Sequence, residues 1–144
     1  MNEGYSIMTG LRDQFRNGID GVSTSYNHRL TRDQVVTGFV NVEEVKRFPL
    51  ITIGSVSISP NQMTIGSPSW DIPVMIELFG FVRDEDDAFG EALKLYNDME
   101  TSLREDPTIG GLVYGMNLSA DVSSLDSVGV VFIILRMKYN VEQT

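Results

Sequence analysis

The stretch Trp70-Asp71-Ile72-Pro73-Val74-Met75-Ile76-Glu77-Leu78-Phe79-Gly80-Phe81-Val82-Arg83, followed at once by Asp84-Glu85-Asp86-Asp87, decides the fold. Side chains alternate across a strand with period two. That places Ile72, Val74, Ile76, Leu78 and Val82 on one face and Met75, Glu77, Phe79, Phe81 and Arg83 on the other. The first face reads as core. The second is too apolar for open water, so a helix or another subunit is expected to cover it. The acidic run then opens a long helix, expected to reach about residue 105. Carboxylates at a helix start complement the positive end of its dipole. Phe89, Ala92, Leu93, Tyr96, Met99 and Leu103 supply its apolar stripe, while Glu91, Lys94, Asn97, Asp98, Glu100 and Arg104 are expected in solvent. Such a helix spans about 30 Å at 1.5 Å per residue, and Asp106-Pro107 ends it.

On the C-terminal side, Gly110-Gly111 turns the chain into a strand over residues 112–122. Leu112, Tyr114, Met116, Leu118, Ala120 and Val122 share a face there, opposite Val113, Gly115, Asn117, Ser119 and Asp121. The polar loop 123–127 leads to a last strand, 128–141, making an antiparallel hairpin. Val131, Ile133, Leu135, Met137, Tyr139 and Val141 form its apolar face. The other face is apolar at Val128, Val130, Phe132 and Ile134 and polar at Arg136, Lys138 and Asn140, so its first half is expected to be covered on both sides.

On the N-terminal side, residues 5–17 read as a helix through Met8, Leu11 and Phe15, with Ser6 as N-cap and Gly18 as the stop. A short strand at 21–26, a polar loop at 27–33 and a strand at 35–40 carry weaker patterns. Residues 48–58 are rich in β-branched side chains and read as a strand. The segment 59–69, with two prolines, a glycine and several serines, reads as an exposed loop. The sum is a single α+β domain spanning residues 1–144. It has a mostly antiparallel or mixed sheet of about four to six strands, an N-terminal helix and one long helix packed on one face.

The chain has no cysteine, one histidine and a net charge of −9. The missing thiols remove disulfides, thiolate nucleophiles and cysteine-based zinc sites. The acidity disfavours ordinary nucleic-acid binding, because phosphates are repelled and no counterions are released. The N-terminus has neither a basic start nor an apolar core, so no secretion signal is expected. No apolar run is long enough for a bilayer.

No catalytic, cofactor-binding or metal site emerges. His28 lies in a polar loop beside Arg29 and reads as solvated, and a Ser-His-acid triad would have to be built on it alone. Asp84, Glu85, Asp86 and Asp87 match no calcium-loop spacing and read as a helix-start cluster. A divalent-cation site or the lining of a negatively charged lumen are the other readings of that run. Trp70, at the end of the long loop, and Phe79 and Phe81, on the second face of the strand, are the candidate interface residues, together with the loop 59–69.

Five signatures together resemble a known family: Phe48-Pro49-Leu50-Ile51-Thr52-Ile53-Gly54; Trp70-Asp71-Ile72-Pro73-Val74; the acidic helix opening; Asp106-Pro107-Thr108-Ile109-Gly110-Gly111-Leu112; and the closing strand ending near Tyr139. In layout and in these short signatures the chain is similar to the tail terminator (tail completion) proteins of long-tailed bacteriophages. The resemblance implies a small α+β domain that forms a ring, usually hexameric, which caps the tail tube and joins it to the head connector or adaptor. In contractile phages the ring also receives the tail sheath. It implies a virion protein assembled in the host cytoplasm, with DNA sliding through without specific binding. Another neck, head–tail adaptor or baseplate component is the nearest rival. A small ligand-binding domain is the rival of a different class, and an enzyme the third.

Overall fold

The computed structural model describes residues 3–19, 26–38, 40–41, 44–58, 72–83, 87–127 and 130–143. Among the described residues, two helices and five strands follow one another: α1 (Glu3–Gly18), β1 (Val35–Thr37), β2 (Leu50–Ile58), β3 (Ile72–Val82), α2 (Ala88–Glu105), β4 (Val113–Ser127) and β5 (Val130–Gln143). A single 3-10 turn, Arg32–Gln34, precedes β1. The strands form one sheet in the order β1-β2-β3-β5-β4, with β1 parallel to β2 and every other pair antiparallel. The α+β class, the mixed sheet and the two helices are those expected from the sequence.

Both helices lie on the same face of the sheet. α1 packs on β1 and β2, and α2 on β3 and β5. Ile7, Leu11 and Phe15 from α1 and Ala92, Leu95, Met99 and Leu103 from α2 meet one row from each central strand. Those rows are Ile51 and Ile53, then Val74, Ile76, Leu78 and Val82, then Ile133, Leu135, Met137, Tyr139 and Val141. Tyr139 brings a hydroxyl into this core and donates it to the Pro107 carbonyl at 2.5 Å. Gly80 allows α2 to settle closely, because a Cβ there would stand 2.6 Å from Leu95 Cδ2.

Several boundaries and faces differ from the sequence reading, each for a local reason. α1 begins at Glu3, so Ser6 lies inside it and is no N-cap. α2 begins at Ala88, with the Asp87 carboxylate accepting from the Gly90 N–H at 3.1 Å as N-cap. Asp84, Glu85, Asp86, Trp70 and the loop 59–69 lie outside the described residues. β4 does not keep one alternation. Gly115 takes φ +72, and the register slips between Tyr114 and Asn117. This β-bulge swaps faces. Val113 is therefore buried, and Tyr114, expected on its apolar face, is 37% exposed. β4 also runs through residues 123–127, expected as loop, because an outermost strand can be polar and still pair along one side.

The largest correction concerns α2. Its buried stripe is Ala92, Leu95, Asp98, Met99, Ser102 and Leu103. Phe89 and Leu93, expected to point inward, are 61% and 58% exposed. Asp98, expected in solvent, is 1% exposed.

Candidate functional site

The densest cluster of titratable groups joins α2 to the segment that precedes the 3-10 turn. Asp98 accepts three hydrogen bonds: from the Asn27 N–H at 2.7 Å, from the His28 N–H at 2.9 Å, and across 2.7 Å from His28 Nδ1. The opposite ring nitrogen of His28 lies 3.0 Å from Glu91 Oε2, and Glu91 Oε1 is 3.3 Å from the Lys94 ammonium. His28 is therefore no solvated loop residue, as its polar neighbours suggested; its side chain is 11% exposed. A buried carboxylate requires partners, and Asp98 obtains all of them from Asn27 and His28.

The electrostatics follow from that geometry. The hydrogen bond to Asp98 raises the His28 imidazole above its ordinary value, against the opposing effect of burial, and Glu91 adds to the rise. Glu91 is lowered, chiefly by its bond to His28. The cluster thus favours an imidazolium between two carboxylates. Both ring nitrogens are engaged, and an imidazolium has no lone pair with which to abstract a proton. The arrangement is a clamp. It holds residues 26–28 against α2, and Tyr26 extends it by donating to Glu105 Oε2 at 2.8 Å. Among the described residues, no group of three or more histidine, aspartate and glutamate side chains is placed to hold a metal ion.

The second candidate lies on the opposite face of the sheet, which neither helix covers. Here Phe79 and Phe81 face the same side as Thr52 and Glu77. Phe81 is buried and Phe79 half-buried, so the face expected to be covered is covered in part, but by neither helix. Phe81 pairs in register with Leu50 and Ile134, both on this face. Phe48 and Phe132 meet in a tilted contact with ring centroids 5.7 Å apart, and Phe132 is buried on the second side of β5 as expected, with Ile134 half-buried; Val128 lies outside the described residues. What remains is a groove of about 310 Å³ lined by Val40, Thr52, Gly54, Glu77, Phe79 and Phe81. Its one carboxylate, on Glu77, is engaged by Arg136 at 3.2 Å. Gly54 forms part of the floor, where a Cβ would strike the Phe79 ring.

No protein-family model matches this chain, and neither does any curated protein.

The structure thus brings Phe79 and Phe81 together and places Asp87 apart from them, as a helix cap. Sequence reasoning missed the His28–Asp98–Glu91 clamp. The one available signal was Glu91 and Asp98 standing two helical turns apart, so that both face the same way; nothing in the sequence pointed to His28 as their partner. It also missed the exposed pair Phe89 and Leu93. These stand four residues apart and side by side on α2.

Proposed function

We propose that this chain is a structural subunit of the tail-terminator kind: a ring-former that binds copies of itself laterally, caps a tail tube and meets a head-side connector or adaptor. The observation that carries the reading is apolar surface left outside the core. Phe89 and Leu93 are more than half exposed, side by side on α2, and on the sheet face opposite the described helices Phe79 is only half-buried beside an open groove. Large exposed apolar groups set together mark a surface made for a partner. The clamp at His28 supports a non-catalytic reading, since its polar atoms are consumed internally. The net charge of −9 suits a passage through which DNA moves without adhering, because like charges lower the affinity for phosphates. In a contractile particle the same ring would also receive the sheath.

The test is size-exclusion chromatography with light scattering, and negative-stain microscopy, of the protein alone and mixed with tail tubes. Rings seated on tube ends support the reading. A strict monomer under both conditions at high concentration overturns it.

One observation favours a second reading. A groove of about 310 Å³ with aromatic walls and a hydroxyl from Thr52 sits at the lower end of small-ligand sites, roughly 300–1,000 Å³. A small-molecule screen by thermal shift, read against a Phe79→Ala variant, separates a ligand-binding domain from a ring subunit.

A further inference from the structure

We propose that neighbouring copies join edge to edge, the β4 edge of one pairing antiparallel with residues 54–58 of β2 in the next. The inference rests on the ring reading above and names the surfaces that make the ring.

Among the described residues, β4 is the outermost strand on its side and runs for 15 residues. A long open edge presents a row of backbone donors and acceptors, and monomeric proteins guard such edges with lysines, prolines or mid-strand bulges. Residues 117–127, beyond the bulge, contain no lysine, proline or glycine, and two aspartates, Asp121 and Asp126, are their only charges. At the other edge of the sheet, β1 is three residues long and faces only residues 51–53 of β2. Among the described residues, no strand flanks residues 54–58 on that side.

The two edges match in direction and in pattern. β2 is antiparallel to β3, β3 to β5, and β5 to β4, so β4 runs opposite to β2. Two copies set side by side in the same orientation therefore bring β4 antiparallel to the neighbour's β2, the more favourable pairing. On the helix side, Leu118 and Val122 of β4 and Val56 and Ile58 of β2 are all half-buried hydrophobics at the margin of the core. On the open side, Ser119, Asp121 and Ser123 of β4 and Ser55 and Ser57 of β2 are all exposed. Apolar rows meet apolar rows, and polar rows meet polar rows, without a change of face.

The helix layer fits the same arrangement. A helix about 10 Å across covers roughly two strands at 4.8 Å spacing, so two helices leave the fifth strand bare. α2 packs on β3 and β5, and the exposed Ala120 of β4 reflects the gap beside it. Glu91 and Asp98 turn one flank of α2 toward His28. At 100° per residue, Phe89 and Leu93 occupy the opposite flank. In a joined sheet that flank meets the neighbour's α1, which sits on β1 and β2. Because two different edges meet, the contact is heterologous and generates a ring when its rotation closes.

The chain has no cysteine, so disulfide trapping has no background. Single variants Ser119→Cys and Ser123→Cys on β4 are mixed with Ser55→Cys and Ser57→Cys on β2, oxidised gently and mapped by mass spectrometry. The expected result is cross-links between β4 of one copy and β2 of another, confined to the assembled fraction. Rings that form without a β4–β2 link, or with β4–β4 links predominating, overturn the inference and leave the ring reading standing. Absence of any assembly overturns both. Independently, Ala120→Lys is expected to keep the circular dichroism of the folded chain and to raise the concentration needed for assembly at least ten-fold; assembly at wild-type concentrations overturns the edge contact.

Discussion

His28 Nδ1 stands 2.7 Å from the Asp98 carboxylate, and Asp98 at 1% exposure has no access to water of its own. The pair therefore fastens a connecting segment to the middle of α2. Leu30, two residues beyond His28, is buried in the same core, and its N–H reaches the Ile19 carbonyl at 2.8 Å. The clamp thus orders residues 26–30 on the approach to β1.

Asp98→Ala would orphan two backbone N–H groups and the buried imidazole in one step. Breaking a buried ionic pair from one side costs about 3–5 kcal/mol, and for a chain of this size the melting temperature should fall by about 10 °C. Calorimetry or a urea melt measures this. A loss below about 1 kcal/mol would show that water substitutes for the carboxylate and that the clamp carries no weight.

The same cluster makes stability depend on pH in a defined direction. His28 is raised above 6.5 in the folded state. Its contribution is complete below 6.5 and disappears as pH rises through the folded value. Glu91 is lowered beneath 4.5, so its contribution is complete above 4.5 and is lost as pH falls through the folded value. The cluster stabilises most between 4.5 and 6.5. Denaturation midpoints across pH 4–9 should decline on the alkaline side, and His28→Gln should flatten that limb. An identical alkaline decline in the variant would assign the effect to other groups.

Gly80→Ala tests how closely α2 approaches the sheet. The added methyl would meet Leu95 Cδ2 at 2.6 Å and Leu135 at 3.5 Å. Overpacking of a filled core costs about 1–3 kcal/mol. A denaturant midpoint equal to the wild type would mean that Leu95 has room to turn aside.

Asp106 closes α2 into the turn that leads to β4. Its carboxylate accepts from the Thr108 N–H at 3.1 Å, the Thr108 hydroxyl at 2.6 Å and the Gly110 N–H at 2.9 Å. Asp106→Ala removes these together, with an expected loss of about 1–2 kcal/mol. Retained stability above pH 5 in this variant would assign the turn's order to Gly110 and Gly111 alone.

Phe89→Ser with Leu93→Ser separates folding from assembly. Both side chains lie outside the core, so the monomer's stability should change by no more than about 0.5 kcal/mol. Ring formation, followed by light scattering, should weaken sharply. Equal assembly by the double variant would remove α2 from the contact.

Periodicity along the chain was enough to place the central strands and both helices. Alternation with period two in residues 72–82, and spacings of three and four in residues 7–15, record which side of each element avoids water, and that is a local property. Composition alone likewise set the absence of thiol chemistry and the acidic balance. The sequence by itself could not determine how the two helices share the sheet, because that depends on strand order. Once α2 settles over β3 and β5, Phe89 turns out to solvent and Asp98 turns in, although by residue type the opposite would be expected. Nor is the pairing of His28 with Asp98 local: 70 residues separate them, and only the packing of α2 against the segment after α1 brings the donor to the carboxylate. The bulge at Gly115 acts in the same way, exchanging the faces of Val113 and Tyr114 through one residue's backbone. Burial preferences are written residue by residue, whereas the partner that satisfies a buried charge is chosen by the fold.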